Sequence, residues 1–193
     1  MTTVLQLSNI EAFAEPFPYI VFSNVFDFHV SQQVLAWFEI DAPWRLVEAD
    51  FYEQFEFSLW DAVLPAHLSF LREDDFLAVI KQRIAEMFGV AFSPRIEITA
   101  HKLVPEQRIR IHNDFIPGAE THRLLIQFNR GWRDDNGGLL LFFNSSNPAD
   151  IHKIFRPAHN SAVGFAISAT SYHAVSTLYQ GERFTLVYSF YAT

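Results

Sequence analysis

RFTLVYSFY, residues 183–191, alternates without a break. Arg183, Thr185, Val187 and Ser189 fall on one side of an extended chain, and Phe184, Leu186, Tyr188 and Phe190 on the other. The second side can pack into a core, while the first can look into a barrel and leave Arg183 in need of an anion. Working toward the N-terminus, five further segments read as short strands: SAVGFAISA (161–169), GLLLFF (138–143), RLLIQFN (123–129), QRIRIHND (107–114) and IEITAHKLV (96–104). Turn signals separate them at Pro117-Gly118, Asp135-Asn136-Gly137-Gly138, Asn144 to Pro148 and Gln180-Gly181-Glu182. No helical pattern lies between these strands, which disfavours a parallel βαβ sheet and favours an antiparallel barrel.

The front half differs. In SQQVLAWFEI (31–40), Ser31 can cap a helix whose Val34, Leu35 and Phe38 share one face. In EDDFLAVIKQRIAEMFG (73–89), Phe76, Ile80, Ile84 and Met87 form an apolar stripe, with acidic residues ahead of it and Gly89 behind. Both stripes read as core packing. The expected architecture is mainly β with packed N-terminal helices: a double-stranded β-helix, or jelly-roll, barrel. At 193 residues the chain fits one domain of about 100–200 residues. That domain spans 1–193, with 1–94 as helical support and entry strands and 95–193 as the core barrel carrying the site.

Composition narrows the function. Charged residues are 19% and hydrophobic ones 50% of the chain, with 21 Phe, which excludes a disordered acidic tail and points to an aromatic-rich core. The formal charge of −8 works against neutralising phosphates, so nucleic acid is a disfavoured partner. No stretch reaches the ~18 apolar residues of a membrane span, and MTTVLQLSNIEAF lacks the basic start and apolar core of an export signal. With no Cys, disulfides, thiolate metal sites and Cys nucleophiles are excluded. The expectation is a cytoplasmic protein.

Of eight His, alternation singles out one group. In RIRIHND, Arg110, His112 and Asp114 share a face, and an imidazole and a carboxylate two apart at a strand end can hold one metal ion together. His173, in SYHAVS, follows Asp114 by 59 residues, enough for the intervening strands to bring it back beside the pair. Two imidazoles and one carboxylate make the facial triad of non-haem Fe(II) oxygenases. Arg183, ten residues after His173 across a turn, offers a fork that matches a carboxylate, and Thr185 can add a third hydrogen bond. His101, His122, His152 and His159 have no partner at ligand spacing and read as surface or satisfied polar residues. His29 reads as a polar tip, and Asp134-Asp135 as a solvated turn.

These residues give the chain a resemblance to the Fe(II)/2-oxoglutarate-dependent dioxygenases of the prolyl 4-hydroxylase-like branch, from about Pro16 to the C-terminus. PFPYIVFSNVF (16–26) looks like the family's entry strand. HND, RLLIQFNRGW, NGGLLLFF and SYHAVSTLYQGERFTLVYSF follow in the family's order, including the Asn129-x-x-Trp132 step and the Gly137-Gly138-x-Leu140 turn. More loosely, DFYEQFEFSL (50–59) is similar to the region preceding the barrel in ribosomal-protein prolyl hydroxylases.

The resemblance implies Fe(II), 2-oxoglutarate and O2 as cofactor and cosubstrates, with ascorbate as a candidate reductant. It makes His112, Asp114 and His173 the iron ligands and Arg183 the anchor of the distal 2-oxoglutarate carboxylate, with Thr185 beside it. Gln127 stands where relatives often place an anchoring Tyr, and it can still donate a hydrogen bond. Leu103 stands where relatives often have another Tyr, and it cannot. The implied reaction hydroxylates a side chain in a peptide or protein, releasing succinate and CO2. The alternatives are the same chemistry on a small molecule, such as a free amino acid, and a non-catalytic jelly-roll binding module.

Substrate recognition is expected at loops 115–122, 133–136 and 144–159, around an apolar pocket lined by the Phe-rich strands. Phe115 is a candidate substrate contact. Trp132 can either stack on substrate or pack beneath the rim.

Overall fold

The computed structural model describes residues 5–193. The first four residues of the expected 1–193 domain, and of the segment read for an export signal, therefore lie outside the described residues. Two strands open the chain, β1 (Ser8–Phe13) and β2 (Tyr19–Ser23), followed by helix α1 (Phe28–Ile40) and a hairpin of β3 (Arg45–Ala49) and β4 (Tyr52–Ser58). A 3-10 segment (Ala66–Arg72) leads into α2 (Asp74–Phe88). Eight strands complete the chain: β5 (Phe92–Leu103), β6 (Ile109–His112), β7 (His122–Gln127), β8 (Leu140–Phe143), β9 (Ile151–Phe155), β10 (Ser161–Ala166), β11 (His173–Val175) and β12 (Arg183–Ala192).

Every strand pair is antiparallel, in the order β1-β2-β10-β7-β12-β5-β4-β6-β11-β8-β9, with β3 on the other edge of β4. The sheet curls until its two ends meet. Tyr19 of β2 sits edge-on to Phe142 of β8 and Phe155 of β9, at ring separations of 5.3 and 5.7 Å. The larger half of the sheet joins the smaller, β6-β11-β8-β9, through a single partner pair, Tyr52 and Ile109. This is the jelly-roll expected from the strand run.

The alternation of β12 divides the interior as read from its sequence. Phe184, Leu186, Tyr188 and Phe190 enter one core cluster, packed with Val34, Leu35 and Phe38 of α1 and Ile80 and Ile84 of α2. Val187, from the other face, enters a second cluster between the two halves, with Phe142, Phe165 and Leu103. Each such fully buried side chain contributes roughly 1.5–3 kcal/mol relative to exposure. Tyr188 also donates its hydroxyl to Leu71 O at 2.9 Å, tying the central strand to the segment ahead of α2.

Local signals place α2 as expected. Asp74 and Asp75 occupy its first turn, and Gly89 ends it at φ 66°, a left-handed geometry that glycine adopts without steric cost. Helix α1 differs. It begins at Phe28 rather than after Ser31, because Asp27 accepts the backbone N–H of His29 at 2.9 Å. Ser31 lies inside the helix, fully buried, donating to Phe28 O. The β3–β4 hairpin and strand β9 fall where no strand is expected from the sequence. β9 occupies part of 144–159, so that segment is only partly loop. Among the described residues no helix is long and apolar enough to cross a membrane.

Candidate metal centre and cosubstrate pocket

The last residue of β6 and the first of β11 are cross-strand partners, His112 opposite His173. Each ring is fixed in the same way. His112 Nδ1 lies 2.7 Å from Arg110 O and His173 Nδ1 lies 2.8 Å from Ser171 O. A carbonyl can only accept, so both Nδ1 atoms carry the proton, and in the neutral rings both Nε2 lone pairs point away from the strand. They point at Asp114. Its Oδ2 is 3.2 Å from His173 Nε2 and 3.4 Å from His112 Nε2.

Asp114 reaches that position by leaving the strand. β6 ends at His112, and Asp114 takes φ +57°, a left-handed conformation in which Asp is among the few tolerated side chains. The shared strand face expected for His112 and Asp114 is thus replaced by a turn that brings the carboxylate to the imidazoles. Burial pushes its carboxyl pKa up, while the Arg123 guanidinium, which donates to Oδ2, pulls it down. His173 is lowered, chiefly by burial, which favours its neutral form.

Two imidazole lone pairs aimed at one carboxylate oxygen repel it unless a cation sits among them. The separations of 3.2 and 3.4 Å are close to the roughly 3 Å between neighbouring donors on a metal with bonds of about 2.1 Å. The three donors form a His-Asp-His group that could hold a metal ion, and the set is the two-imidazole, one-carboxylate type that suits non-haem Fe(II) with positions left open.

This site lies in a cavity of about 300 Å³ that also holds Arg183 and Thr185. Arg183 is 4% exposed. Its Nη1 donates to Thr185 Oγ1 at 2.9 Å, and Thr185 donates in turn to Gln127 Oε1 at 2.9 Å. Its Nε is buried without a partner, and burial pushes the guanidinium down to about 10. A buried cation short of hydrogen bonds and bordering a cavity calls for an anion. The residues present therefore fit both a divalent metal and a carboxylate-bearing cosubstrate.

Register explains a polar row of which Thr185, His101 and Glu56 line the cavity. Gln127, Thr185, His101 and Glu56 are successive partners across β7, β12, β5 and β4. They form one polar row, with Arg183 two residues along from Thr185. His101 is thereby a cavity residue, not a surface or satisfied polar one, and burial pushes it down to about 3. Its alternation with Thr99 is visible in IEITAHKLV, but its pairing with Thr185 is set only by strand register. Arg123, Tyr52, Gln54 and Glu56 also line the cavity, and none is singled out by sequence reading.

Other expectations resolve differently. Leu103 is 1% exposed and packs in the second core as the β5 partner of Arg183. The cavity is not Phe-lined, since only Phe51 among the phenylalanines borders it; most of the others pack in the two cores. Trp132 donates Nε1 to Gly137 O at 3.0 Å and packs against the second core rather than lining the cavity. Phe115, 45% exposed, borders a separate recess with Phe51, His112, Asp114, Ile116 and Tyr172. Asp134 and Asp135 stay at the surface, paired with Arg156 and Arg133.

Residues 99–190 match the family model described as the 2OG-Fe(II) oxygenase superfamily. Solved structures share the fold at low identity. A Pseudomonas putida prolyl-4-hydroxylase aligns over 91% of this chain and 92% of its own, at 16% identity and a TM-score of 0.69. A 2OG-Fe(II) oxygenase family oxidoreductase from Burkholderia pseudomallei aligns over 86% and 80%, at 20% identity and 0.64. A Trichoplax adhaerens prolyl hydroxylase, in complex with a hypoxia inducible factor oxygen degradation domain peptide fragment, aligns over 90% and 83%, at 12% identity and 0.65. Comparison with curated protein sequences gives no match. The strand order, the His-Asp-His group and the family match agree: residues 99–190 match the 2OG-Fe(II) oxygenase superfamily, in a chain with a prolyl 4-hydroxylase-like fold.

Proposed function

We propose that this protein is a 2-oxoglutarate-dependent dioxygenase that hydroxylates a side chain of a peptide or protein, with His112, Asp114 and His173 holding Fe(II) and Arg183, Thr185 and Gln127 holding 2-oxoglutarate. The observation that carries the cosubstrate assignment is the buried, under-bonded Arg183 in the same cavity as the three metal donors. Bound iron with 2-oxoglutarate and O2 supplies the oxidative chemistry, and succinate and CO2 are the by-products. The chain's own groups do the rest. Arg183 fixes the distal carboxylate through a charge-assisted fork, and Thr185 passes orientation from Gln127 to the guanidinium. The antiparallel partnership of β6 and β11 keeps the two imidazoles side by side.

A macromolecular substrate is favoured by the recess beside the metal donors. Phe115 and Ile116 are exposed there, next to Phe51 and Tyr172, so a chain reaching His112 and Asp114 has apolar surface to lie on. The Trichoplax relative, whose structure holds a peptide, is consistent with such a mode. A cytoplasmic setting belongs to the same proposal. Incubation of the iron-loaded enzyme and 2-oxoglutarate with peptide and metabolite pools, read by mass spectrometry, tests it. The expected result is a shift of +16 on peptides; oxygenated metabolites with unmodified peptides would move the assignment to a small molecule.

A further inference from the structure

We propose that Arg123 is a positioning residue for the metal, aiming the Asp114 carboxylate at the two imidazoles. The inference rests on the metal-site reading above and adds a residue that it does not use. Each donor needs something to orient it. Backbone carbonyls do this for His112 and His173. Asp114 lies past the end of β6, at positive φ, where no ladder holds it. Its carboxylate accepts no backbone N–H among the described residues, and its one hydrogen-bond donor there is Arg123.

The contact is specific. Arg123 Nη1 donates to Asp114 Oδ2 at 2.5 Å, the same oxygen that faces both Nε2 atoms. Arg123 is itself held, because its Nε and Nη2 bind Glu120 Oε1 and Oε2 at 3.0 and 2.6 Å. Alternation along β7 puts Arg123 on the side of Leu125 and Gln127, at the cavity wall. Two carboxylates around one guanidinium leave one negative charge in excess, which a divalent cation between Asp114 and the histidines offsets. Glu120 orients Arg123 and Arg123 orients Asp114, an outer layer of the kind whose loss typically weakens metal binding.

The test uses Co(II) alone, titrated into the metal-free full chain and read by visible absorption, with no turnover. Arg123→Gln is expected to weaken Co(II) binding about 10–100-fold and to alter the spectrum of bound Co(II). Arg123→Lys, which keeps the charge but not the fork, should recover only part of that loss. Circular dichroism melts of the metal-free variants establish folding. A folded Arg123→Gln that binds Co(II) within twofold of wild type, with an unchanged spectrum, overturns the proposal; if Arg123→Gln does not fold, Arg123→Lys is judged by the same criterion. Asp114→Ala separates the two readings. If it abolishes Co(II) binding while Arg123→Gln leaves it intact, only the role of Arg123 falls. If wild type binds no Co(II), or Asp114→Ala binds it equally well, the metal-site reading falls and takes this one with it.

Discussion

His112 and His173 are direct cross-strand partners whose ring centroids stand 4.2 Å apart, and each is clamped through Nδ1 to the carbonyl two residues before it. The repeated clamp makes the pair a rigid two-nitrogen platform. Its Nε2 atoms are directed by strand geometry rather than by each other.

Removing any of the three proposed ligands should therefore abolish chemistry without unfolding the barrel. Succinate formation in His112→Ala, Asp114→Ala and His173→Ala is expected to drop by more than about 100-fold, exceeding the usual loss from an outer-layer residue. Retained turnover in any one of them removes that residue from the iron.

Arg183 should separate cosubstrate binding from metal binding. Each charge-assisted hydrogen bond lost is worth about 1.5–3 kcal/mol, so Arg183→Met is expected to raise the KM for 2-oxoglutarate by at least roughly 10-fold while leaving Co(II) affinity near wild type. Saturation at about 100 times Kd stabilises by about 2.7 kcal/mol, a rise of roughly 5–10 °C in Tm for a chain of this size. The Mn(II)-loaded wild type should show that rise on adding 2-oxoglutarate, and Arg183→Met should not. Without ligand the variant should melt no lower than wild type, because the native guanidinium is buried with Nε unpartnered.

Asn160 should matter to stability rather than catalysis. Its Oδ1 accepts the Phe26 N–H at 3.0 Å and its Nδ2 donates to Phe26 O at 2.8 Å, both buried, and its own backbone sits at φ +60°. Asn160→Ala strands two backbone groups at about 1–3 kcal/mol each in a conformation that Ala disfavours. Denaturant unfolding should show a loss of about 2–6 kcal/mol, and a loss below about 1 kcal/mol contradicts the account.

Acid sensitivity should come in part from His122. It packs edge-on between Phe88 and Phe92, and burial pushes it down to about 4. A lowered folded pKa means that the unfolded chain binds the extra proton first. Stability is thus full above pH ~6.5 and falls as pH drops from there toward 4. The contribution is on the order of 3 kcal/mol at the acid end. His122→Gln should flatten the dependence of unfolding free energy on pH across that window, whatever it costs at pH 7.

The site's first layer is legible because two imidazoles, a carboxylate and an arginine carry unusual chemistry in short alternating runs. His112 and Asp114 lie two apart, and Arg183 opens a strand whose other face is wholly apolar. The next layer is not legible. Arg123 is one of many arginines until β7 turns it inward, and His101 resembles any strand histidine until register sets it opposite Thr185. The β3–β4 hairpin escaped for a related reason: in YEQFEFS the polar residues that would signal solvent, Gln54 and Glu56, line the cavity.

Alternation, turn residues and helix stops are local properties, so the chain alone determined the strand-rich second half, the stop of α2 at Gly89 and the partition of β12 into a packed face and a polar face. Pairing between distant strands is not local. The curl of the sheet, the left-handed turn that delivers Asp114, and the meeting of Arg123, His101 and Glu56 around one cavity depend on register and burial, which exist only once the halves close on each other.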